Sequence, residues 1–543
     1  MQPPTSSALA PLRNRLYLSY FFTGLMANFG WLIQLVGASW LMTSIGGSPE
    51  MVGLVQTSLA VPIMLFSLLA GAMADTFGRR TMVLWSQSFL LIVSSALAVV
   101  TYLGMVTPWT LLIFTFLIGS GKALNNPAWQ TMVRELVVPA EMPAAISLNS
   151  VGFNIARSLG PALGGAIVAA VGAFAAFVIN ALSNIGMIVV MARWRLEGPP
   201  RHLPPEPVGA AMMAGIRYVA MSPHLLAVML RAGAFNFAAI SVMALMPLIA
   251  RDLVQGGAEI YGLLLGSFGV GAILGAMLGG RLRAALSLEG LARVGFLSFA
   301  GATVVIGLSG NVYLTLAACA AAGASWLLTL STFNTTVQLS SPRWVGSRSQ
   351  ALYQTASFGG NALGSWVWGS LAASHGNAES LFISAAVLVA GAALGLVFAL
   401  RELDNTGLDQ HSRWSAPKMA LDILPRSGPI LTTQEYVIRE EDVTEFLSVM
   451  AERRRGRMRD GARQWLLARD IENPQLWIER YKTATWVETQ RHHERRTLAD
   501  AAITDRLRAL HQGEGLPQMR HLLVRQTGWS AAQHNFGTGD YTH

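Results

Sequence analysis

Two basic residues, Lys122 and Arg157, stand near the middle of long apolar stretches of the sequence. A basic side chain costs about 3 kcal/mol or more at the centre of a bilayer, so such residues usually face a polar interior and serve a function. No acidic residue lies within the same stretches to neutralise them. We therefore predict that both line an interior cavity, where an anionic small molecule balances their charge. The alternative is that Lys122 loses its proton when the cavity is empty and takes part in ion coupling.

Neutral polar residues accompany the two cations at helical spacing. Asn126 and Gln130 follow Lys122 by four and eight residues, and Asn154 precedes Arg157 by three. Residues spaced in this way share one face of a helix. A later stretch repeats the arrangement with Gln354 and Asn361. These residues and the two cations are the predicted substrate-binding set, although hydrogen bonding between helices is an equally open role for the neutral ones.

The stretches that carry these residues are long enough to cross a membrane. Of the 543 residues, 52% are hydrophobic and only 13% are charged, which is too apolar for an ordinary soluble protein. A spanning helix needs about 20 mostly apolar residues. We predict an all-α membrane protein with a small cytoplasmic α+β domain. The twelve predicted transmembrane helices occupy residues 16–42, 51–74, 81–104, 109–133, 144–170, 173–192, 225–249, 260–282, 291–309, 312–337, 349–374 and 381–400.

Charge is distributed unevenly along the chain. Residues 1–400 hold 18 Lys/Arg and 10 Asp/Glu, whereas residues 401–543 hold 21 and 20. The positive excess therefore lies in the apolar body, which argues against nucleic acid as a partner and matches the Lys/Arg bias of cytoplasmic loops. If the first helix leaves the cytoplasm, thirteen arginines fall in cytoplasmic loops and only Arg251 falls outside. We predict a multi-pass protein of the cell inner membrane with both termini in the cytoplasm.

An internal repeat divides the apolar body into two halves. The matches at a common offset of 204 residues are Gly71-Ala72-Met73 with Gly275-Ala276-Met277, Gly160 with Gly364, and Gly165 with Gly369. Halves related in this way meet around a central site. We predict six-helix bundles at 1–193 and 224–400. The Pro-rich stretch PPRHLPPEP lies between them, in a cytoplasmic linker at 194–223 that also contains a short surface helix.

A cluster of charges closes the turn between the second and third predicted helices. The stretch GAMADTFGRR, which begins at Gly71, has the pattern G-x-x-x-D-x-x-G-R-R. Gly78 can take a left-handed backbone conformation, as a tight turn requires. Asp75 can face a helix N-terminus, where negative charge is favoured. Arg79 and Arg80 can reach lipid phosphates or pair with Asp75.

This pattern resembles the signature loop of the major facilitator superfamily. The second half keeps Gly275, Gly279 and Arg281 of that loop but lacks its Asp. In the fifth predicted helix, RSLGPALGG resembles the glycine-proline motif of the superfamily's exporters, which favours efflux. The resemblance implies that a set of residues serves conformational switching: Gly71, Asp75, Gly78, Arg79, Arg80, Gly160 and Pro161.

A narrower resemblance covers nearly the whole chain. Arg251-Asp252, the segment YGLLLG at 261–266 and the C-terminal tail look like the subfamily that includes the enterobactin exporter. This resemblance implies secondary transport of a small organic solute, such as a siderophore or a drug, driven by an ion gradient that usually consists of protons. The nearest candidates for coupling are two carboxylates at helix ends, Asp252 and Glu259. No cofactor or metal site is predicted, and nothing resembles a nucleotide-binding loop.

The C-terminal tail is predicted to form a separate domain at 428–528, after a linker at 401–427 and before a flexible end at 529–543. Its periodicity indicates the order β-α-β-β-α-β, with one helix over Glu488–Leu510, which suggests a ferredoxin-like fold. The basic run that begins at Arg453 is predicted to touch anionic lipid or to form a solvated helix face.

Two segments of the tail, Asp460-Gly461-Ala462 and His493-Glu494-Arg495, resemble the antibiotic-biosynthesis-monooxygenase-like domains fused to this transporter subfamily. Such domains often dimerise, so dimerisation through the tail is expected.

The leading functional prediction is an exporter that works by alternating access and is not an enzyme. A membrane-tethered enzyme with a catalytic tail is the alternative, and turnover by the isolated tail would distinguish it. Import of a nutrient is a third possibility, which the motif in the fifth helix disfavours.

Overall fold

The computed structural model describes residues 10–138, 141–193, 208–342, 344–400, 414, 417 and 419–525. Most of this length is helical, and the chain divides into two compact units. The first unit comprises residues 1–211, 224–337 and 350–402, and the second comprises 212–223, 338–349 and 403–543.

Long helices form the body of the chain, and the apolar stretches predict most of their ends to within a few residues. Their bounds are α1 Arg15–Ser44, α2 Pro49–Phe77, α3 Arg79–Tyr102, α4 Pro108–Leu136, α5 Met142–Val171, α6 Ala173–Arg193, a short α7 Val208–Ala220, α8 Pro223–Leu248, α9 Ala258–Ala285, α10 Leu288–Leu308, α11 Val312–Leu339, α12 Gly346–His375 and α13 Asn377–Ala393. The last predicted span, 381–400, extends too far, because the chain leaves the helix after Ala393 and the backbone N–H of Leu400 donates to Glu289 Oε2 at 3.0 Å.

Ten of the described helices are long and apolar enough to cross a membrane. The two long helices outside this set, α4 and α12, carry Lys122 with Asn126, and Gln354 with Asn361. The polar faces that mark the candidate site therefore lower the apolar character of the helices that bear them. The full set of twelve spans remains a prediction.

Local signals in the sequence account for several helix starts. The Ser48 side chain accepts from the backbone N–H of Met51, and Pro49 follows at the first helical position of α2. At the start of α4, Thr107 and Thr110 cap each other reciprocally. Such side chains satisfy backbone donors that the first helical turn leaves unpaired.

Glycines set the closest approaches between the two halves of the first unit. A Cβ added at Gly165 of α5 would lie 2.7 Å from Cα of Gly262 in α9, and one added at Gly53 of α2 would lie 3.0 Å from Cα of Gly369 in α12. Separations this short leave no room for a side chain. Small residues are favoured at such contacts because lipid supplies no hydrophobic drive between helices, so association depends on close packing.

The internal repeat has a counterpart in the packing. Gly160 of α5 packs on Leu32 of α1, where an added Cβ would lie 3.0 Å from the Leu32 Cβ. Its repeat partner Gly364 of α12 packs on α8, where an added Cβ would lie 2.2 Å from the carbonyl oxygen of Phe237. Gly165 and Gly369, also one repeat apart, make two of the contacts between the halves. Equivalent glycines thus perform equivalent packing, which supports the offset read from the sequence.

The C-terminal tail forms a four-stranded antiparallel sheet with helices. Its elements are β1 Ile430–Val437, α14 Val443–Arg459, β2 Arg463–Arg469, β3 Leu476–Thr483, α15 Trp486–Glu494, α16 Leu498–Leu510 and β4 Met519–Leu523. The strand order is β2-β3-β1-β4, with Ile430 opposite Thr483 on one side and Leu523 on the other. The apolar core of the tail includes Tyr436, Phe446 and Trp477.

The predicted single helix over Glu488–Leu510 is wrong. The chain breaks after Glu494, and Thr497 begins α16 with a reciprocal cap to Asp500. A Thr with an acidic residue three positions later is a helix start signal, and here it overrides the continuous amphipathic pattern.

The second unit joins the tail to α7 and to residues 338–349. Tyr218 of α7 and Trp344 meet edge to face with ring centroids 5.5 Å apart. Arg459 Cζ lies 5.2 Å from the centroid of the Tyr218 ring, and Arg495 Cζ lies 4.4 Å from the centroid of the Trp344 ring. Two arginines of the tail therefore pack on aromatic side chains outside it through cation–π contacts.

We expect Gly165→Leu to destabilise the first unit, because overpacking a tight contact costs about 1–3 kcal/mol. Gly301→Leu is the matched control, since a Cβ added at that position of α10 meets no atom within 4 Å. The measurement is the melting temperature of each purified variant in detergent. Equal melting temperatures for the two variants would contradict the role given to the contact between α5 and α9.

Candidate functional site

Arg157 of α5 is stacked on an aromatic ring from the other half of the first unit. Its Cζ lies 3.9 Å from the ring centroid of Trp326, which belongs to α11. Trp326 in turn lies against Phe268 of α9, with ring centroids 5.9 Å apart. A guanidinium over an indole face is stabilised by the ring quadrupole without a carboxylate. Among the described residues, no acidic side chain pairs with Arg157.

Lys122 of α4 is also placed near an indole ring. Its side chain is only 8% exposed, and Nζ lies 5.5 Å from the ring centroid of Trp31 in α1. No ion pair reaches it within the described part of the chain. The sequence analysis missed both tryptophans, although a cation in an apolar stretch without a nearby acid is itself a signal that an aromatic face is required.

The neutral members of the predicted set have different positions. Asn126, Gln354 and Asn361 are half-buried, and no hydrogen bond within the described residues uses their side chains. The backbone of Gln130 and Asn154 is helical, but their side chains lie outside the described part. Among the described residues, no hydrogen bond joins Asn126, Gln354 and Asn361 to one another.

A different asparagine of α4 serves the packing. The Oδ1 atom of Asn125 accepts from Ser86 Oγ at 3.1 Å and from Gln87 Nε2 at 3.3 Å, both on α3. This is hydrogen bonding between helices, the role left open for all the neutral polar residues. The difference between Asn125 and its neighbour Asn126 follows from which face of α4 meets α3.

A second polar cluster in the same half is also structural. Buried Gln34, Ser94 and Asn180 join α1, α3 and α6, with Asn180 Nδ2 donating to Ser94 Oγ at 2.9 Å and to Gln34 Oε1. Ser94 Oγ also donates to Gln34 Oε1 at 3.3 Å. These side chains hold three helices together, so they are not placed among the candidate binding residues.

A third intramembrane cation, Arg231 of α8, has a carboxylate partner. Its side chain is fully buried, and Nη1 forms an ion pair with Glu289 Oε2 from the first turn of α10. Glu289 Oε1 also accepts from Arg293 Nε at 2.8 Å. The sequence places no acidic residue within the predicted spans, but Arg231 still has a carboxylate partner in the structure. Glu289 lies just outside the predicted span 291–309 but contacts Arg231 of the neighbouring helix α8.

The charged turn between α2 and α3 is built around Gly78, whose φ of +88° lies in the left-handed region. This confirms the conformation that the turn predicted. Arg80 Nε donates to the carbonyl of Met191 at 2.7 Å, and Nη2 donates to that of Ala192 at 3.0 Å. It thus stabilises the C-terminal end of α6, where cations are favoured.

The other predicted switch residues are only partly described. Gly71 and Asp75 lie in the last turns of α2, and the Asp75 side chain is outside the described part. Arg79 is the first residue of α3. Pro161 lies within α5, one residue after Gly160, and its carbonyl oxygen faces Gly262 of α9. The glycine-proline motif therefore lies where α5 contacts both α1 and α9.

The two candidate coupling carboxylates are both engaged at helix ends. Asp252 pairs with Arg251 at 2.6 Å and accepts from Asn377 Nδ2 at 3.0 Å. Glu259 accepts from the backbone N–H of Gly257 at 3.2 Å, at the start of α9. Both residues are exposed.

Comparison with known proteins gives one family and several relatives. A family model described as transmembrane secretion effector matches residues 6–528. The multidrug efflux pump Tap of Mycolicibacterium fortuitum is 26% identical over 412 residues, which cover 71% of this chain and 97% of the pump. The staphyloferrin A transporter of Staphylococcus aureus is 26% identical over 269 residues, which cover 48% of this chain and 65% of that protein.

Solved structures of transporters share the fold. A bacterial homologue of the human lysosomal transporter Spinster, in an inward-facing conformation, has a TM-score of 0.57 at 15% identity and covers 72% of this chain and 96% of its own. A POT family transporter in complex with 5-aminolevulinic acid has a TM-score of 0.58 at 12% identity, with 71% and 96% covered. At these identities the likeness concerns the fold alone.

We expect Glu289→Gln to destabilise the protein strongly, because removing one partner of a buried ion pair costs about 3–5 kcal/mol. Adding Arg231→Met should recover much of this loss, since the orphaned charge is then removed as well. The exposed Glu379, in the first turn of α13, provides the control Glu379→Gln. The measurement is thermal unfolding in detergent, and a loss in the control as large as in Glu289→Gln would refute the assignment.

Proposed function

The chain belongs to the transmembrane secretion effector family of major facilitator transporters, and from this premise we propose that it exports a small organic anion by alternating access. The observation that carries the proposal is the contact of Arg157 on α5 with Trp326 on α11. This contact joins a cation of one half to an aromatic ring of the other, without a carboxylate among the described residues to neutralise it.

Alternating access requires two halves that rock against each other around a fixed site. The glycine contacts of α5 with α9 and of α2 with α12 suit this motion, because they bring backbones together without interlocking side chains. Arg157 and Trp326 would be drawn together or apart as the halves move. A ligand that binds the guanidinium would therefore be exposed to one side of the membrane at a time.

The charge of the substrate follows from the unmatched cations. Lys122 and Arg157 are each supported by an indole ring, which stabilises a cation less than an ion pair does in an apolar surrounding. An acidic or catecholate-like solute would supply the missing negative charge. Asn126, Gln354 and Asn361, together with Gln130 and Asn154, are proposed to orient it through hydrogen bonds.

The direction of transport is proposed from two sources. The glycine-proline motif at Gly160 and Pro161 resembles that of exporters in this superfamily. The relatives include a multidrug efflux pump and a staphyloferrin A transporter, which supports export of a drug or a siderophore by this chain. We propose a proton gradient as the driving force, with Asp252 and Glu259 as the candidate coupling groups.

The membrane arrangement is part of the same proposal. We place the protein in the cell inner membrane, with α4 and α12 completing twelve spans and with both termini in the cytoplasm, as the loop arginines suggest. The strand order β2-β3-β1-β4, with helices between the strands, supports a ferredoxin-like tail similar to monooxygenase-like domains. Dimerisation through this tail is proposed from the resemblance.

Removing the two cations should impair the transport of acidic substrates selectively. We expect the double variant Lys122→Gln/Arg157→Gln to lose roughly tenfold or more in anion transport, since a hydrogen bond to a charged group contributes about 1.5–3 kcal/mol. Neutral substrates should be affected much less. The measurement is uptake into everted vesicles of a panel of acidic and neutral solutes, with and without an imposed proton gradient.

Controls separate the charge from the fold. Arg283→Gln removes an exposed cation that donates to Ser331 and should leave anion transport unchanged. Trp326→Phe keeps an aromatic face for Arg157, whereas Trp326→Leu does not, so only the second should impair anion transport. Unchanged anion export by the double variant would overturn the proposed substrate class.

Asp75→Asn should lower the transport rate while leaving substrate binding within a few-fold. Asp75 lies at the end of α2, in the turn with Gly78 and Arg80, and we propose that it acts in switching and not in substrate contact. The measurements are vesicle transport rates and equilibrium binding of the same solute. Loss of binding by a folded Asp75→Asn protein would place Asp75 in the binding site instead.

A further inference from the structure

A buried carboxylate organises the interior of the tail domain. Glu479 of β3 is fully buried and accepts from Arg453 Nε at 2.8 Å and from Arg457 Nε at 3.3 Å. Trp465 Nε1 donates to the same carboxylate at 3.0 Å, and the Tyr436 hydroxyl donates at 3.3 Å. Burial alone would raise the pKa of Glu479, but the two arginines outweigh it and lower the pKa to about 2. The carboxylate is thus charged and fully engaged.

Two arginines in the basic run of α14 face the interior of the domain. At these positions the run forms neither a lipid-binding surface nor a solvated one. Arg453 and Arg457 are 5% and 4% exposed and point into the domain. Arg453 uses its remaining nitrogens on Thr504 and on Gln434, at 3.2 and 2.7 Å. Each of its three nitrogens therefore donates to a partner within the domain.

Arg457 and Arg496 retain unused donors. Arg457 Nη1 donates to His492 Nε2 at 3.0 Å, and its guanidinium lies over the Tyr481 ring at 4.6 Å, but Nη2 has no partner among the described residues. The buried Nη2 of Arg496 also lacks a partner within the described chain. Burying such donors without an acceptor costs free energy, so a water or a bound ligand is required to accept from them.

The unused donors line one cavity. Arg457, His492 and Arg496 border a partly open space of about 20 Å³ between α14, α15 and α16. A space of this size holds one water-sized group, so it can take one oxygen of a larger ion whose remainder lies at the open side. Because His492 Nε2 accepts from Arg457, its imidazole is neutral, and burial lowers its pKa further from the usual range. Burial and the neighbouring Arg457 lower the pKa of Arg496 to about 9, which leaves it protonated at neutral pH.

Acidic residues also border the cavity, but they are engaged elsewhere. Asp460 and Asp500 pair with Arg459 at 3.2 and 3.3 Å. Asp500 also caps α16 through Thr497. Glu479 acts on Arg496 electrostatically, but no carboxylate in the described residues forms an ion pair with it. The guanidinium of Arg496 therefore lacks an ion-pair partner in this part of the chain.

We propose that the cavity bounded by Arg457, His492 and Arg496 binds a small oxyanion, either a carboxylate or a phosphate group, and that its occupancy controls how the tail packs on α7 and on residues 338–349. Guanidinium groups bind both kinds of oxyanion through paired N–H donors. The oxyanion would accept from Arg457 Nη2 and from Arg496 and would neutralise the excess charge.

The connection to α7 runs through residues adjacent to the cavity. Arg459 pairs with the cavity-lining Asp460 and Asp500 and packs on Tyr218 of α7. Arg495 precedes Arg496, donates to the Asp460 carbonyl at 3.1 Å and packs on Trp344. An anion that shifts Arg496 or Asp460 therefore acts on both aromatic contacts. Through α7 and the segment that joins α11 to α12, it would influence the transporter.

Hydrogen–deuterium exchange on the full-length protein tests this proposal. The probes are inorganic phosphate and succinate, each compared with chloride at equal ionic strength. We expect either oxyanion to slow exchange at least threefold in peptides from residues 486–500 and from α7. The stronger probe identifies the source, with succinate indicating a carboxylate ligand and phosphate indicating a phosphate ligand.

Variants distinguish a binding site from a structural cluster. Arg496→Gln should abolish the slowed exchange, whereas Arg480→Gln, at an exposed position of β3 in the same domain, should preserve it. If Arg496→Gln fails to fold, Arg496→Lys keeps the charge but not the planar fork and should weaken the effect.

Three results would overturn the proposal. Equal slowing by chloride would indicate ionic screening only, and undiminished slowing in the folded Arg496 variants would show that the anion binds elsewhere. Slowed exchange at 486–500 without any change in α7 would refute the connection to α7. None of these results bears on anion export through Lys122 and Arg157, which the vesicle assay tests separately.

Discussion

Close packing of helix backbones through glycine is the constraint on which the membrane unit depends. Within a bilayer the lipid is as apolar as a leucine side chain, so helices gain little by burying apolar surface against each other. Gly165 with Gly262 and Gly53 with Gly369 allow contact distances that a larger residue would forbid. These contacts determine where α5 lies relative to the second half, and hence where Arg157 meets Trp326.

The three intramembrane cations differ in whether packing gives them a carboxylate partner. Arg231 is paired with Glu289 and fully buried, so its charge is compensated within the protein. Among the described residues, Arg157 and Lys122 have indole faces but no carboxylate as partners, and a quadrupole compensates a charge less than a carboxylate does. The sequence presents all three as basic residues in apolar stretches. Only the partner that each one meets distinguishes a helix-pairing role from a proposed binding role.

The tail follows the same electrostatic rule in a separate unit. Glu479 is buried because two arginines and two further donors compensate its desolvation, in keeping with the cost of burying unpaired charge. Arg496 has no such compensation among the described residues. The Glu479 carboxylate has a donor at both oxygens, whereas Nη2 of Arg496 has no acceptor in the described part of the chain. This difference makes the cavity of the tail a candidate site.

The sequence determined the features that depend on neighbouring residues. Apolar length placed most helix ends to within a few residues, and the turn at Gly78 followed from local sterics. The common offset predicted two related halves, and the equivalent packing of Gly160 and Gly364 agrees with it. Periodicity failed for the helix over Glu488–Leu510, where a capping signal breaks an otherwise continuous pattern.

Only the tertiary structure decided which residue each basic side chain contacts. Glu289 lies 58 residues from Arg231, and Arg80 lies 111 residues from the carbonyl group of Met191 that it binds. Trp326 could not be matched with Arg157 from spacing, because the two residues belong to different halves. A periodic pattern shows which face of a helix is polar, but it contains no information on which helix packs against that face. The charge balance of each cation is therefore set by packing and not by local sequence.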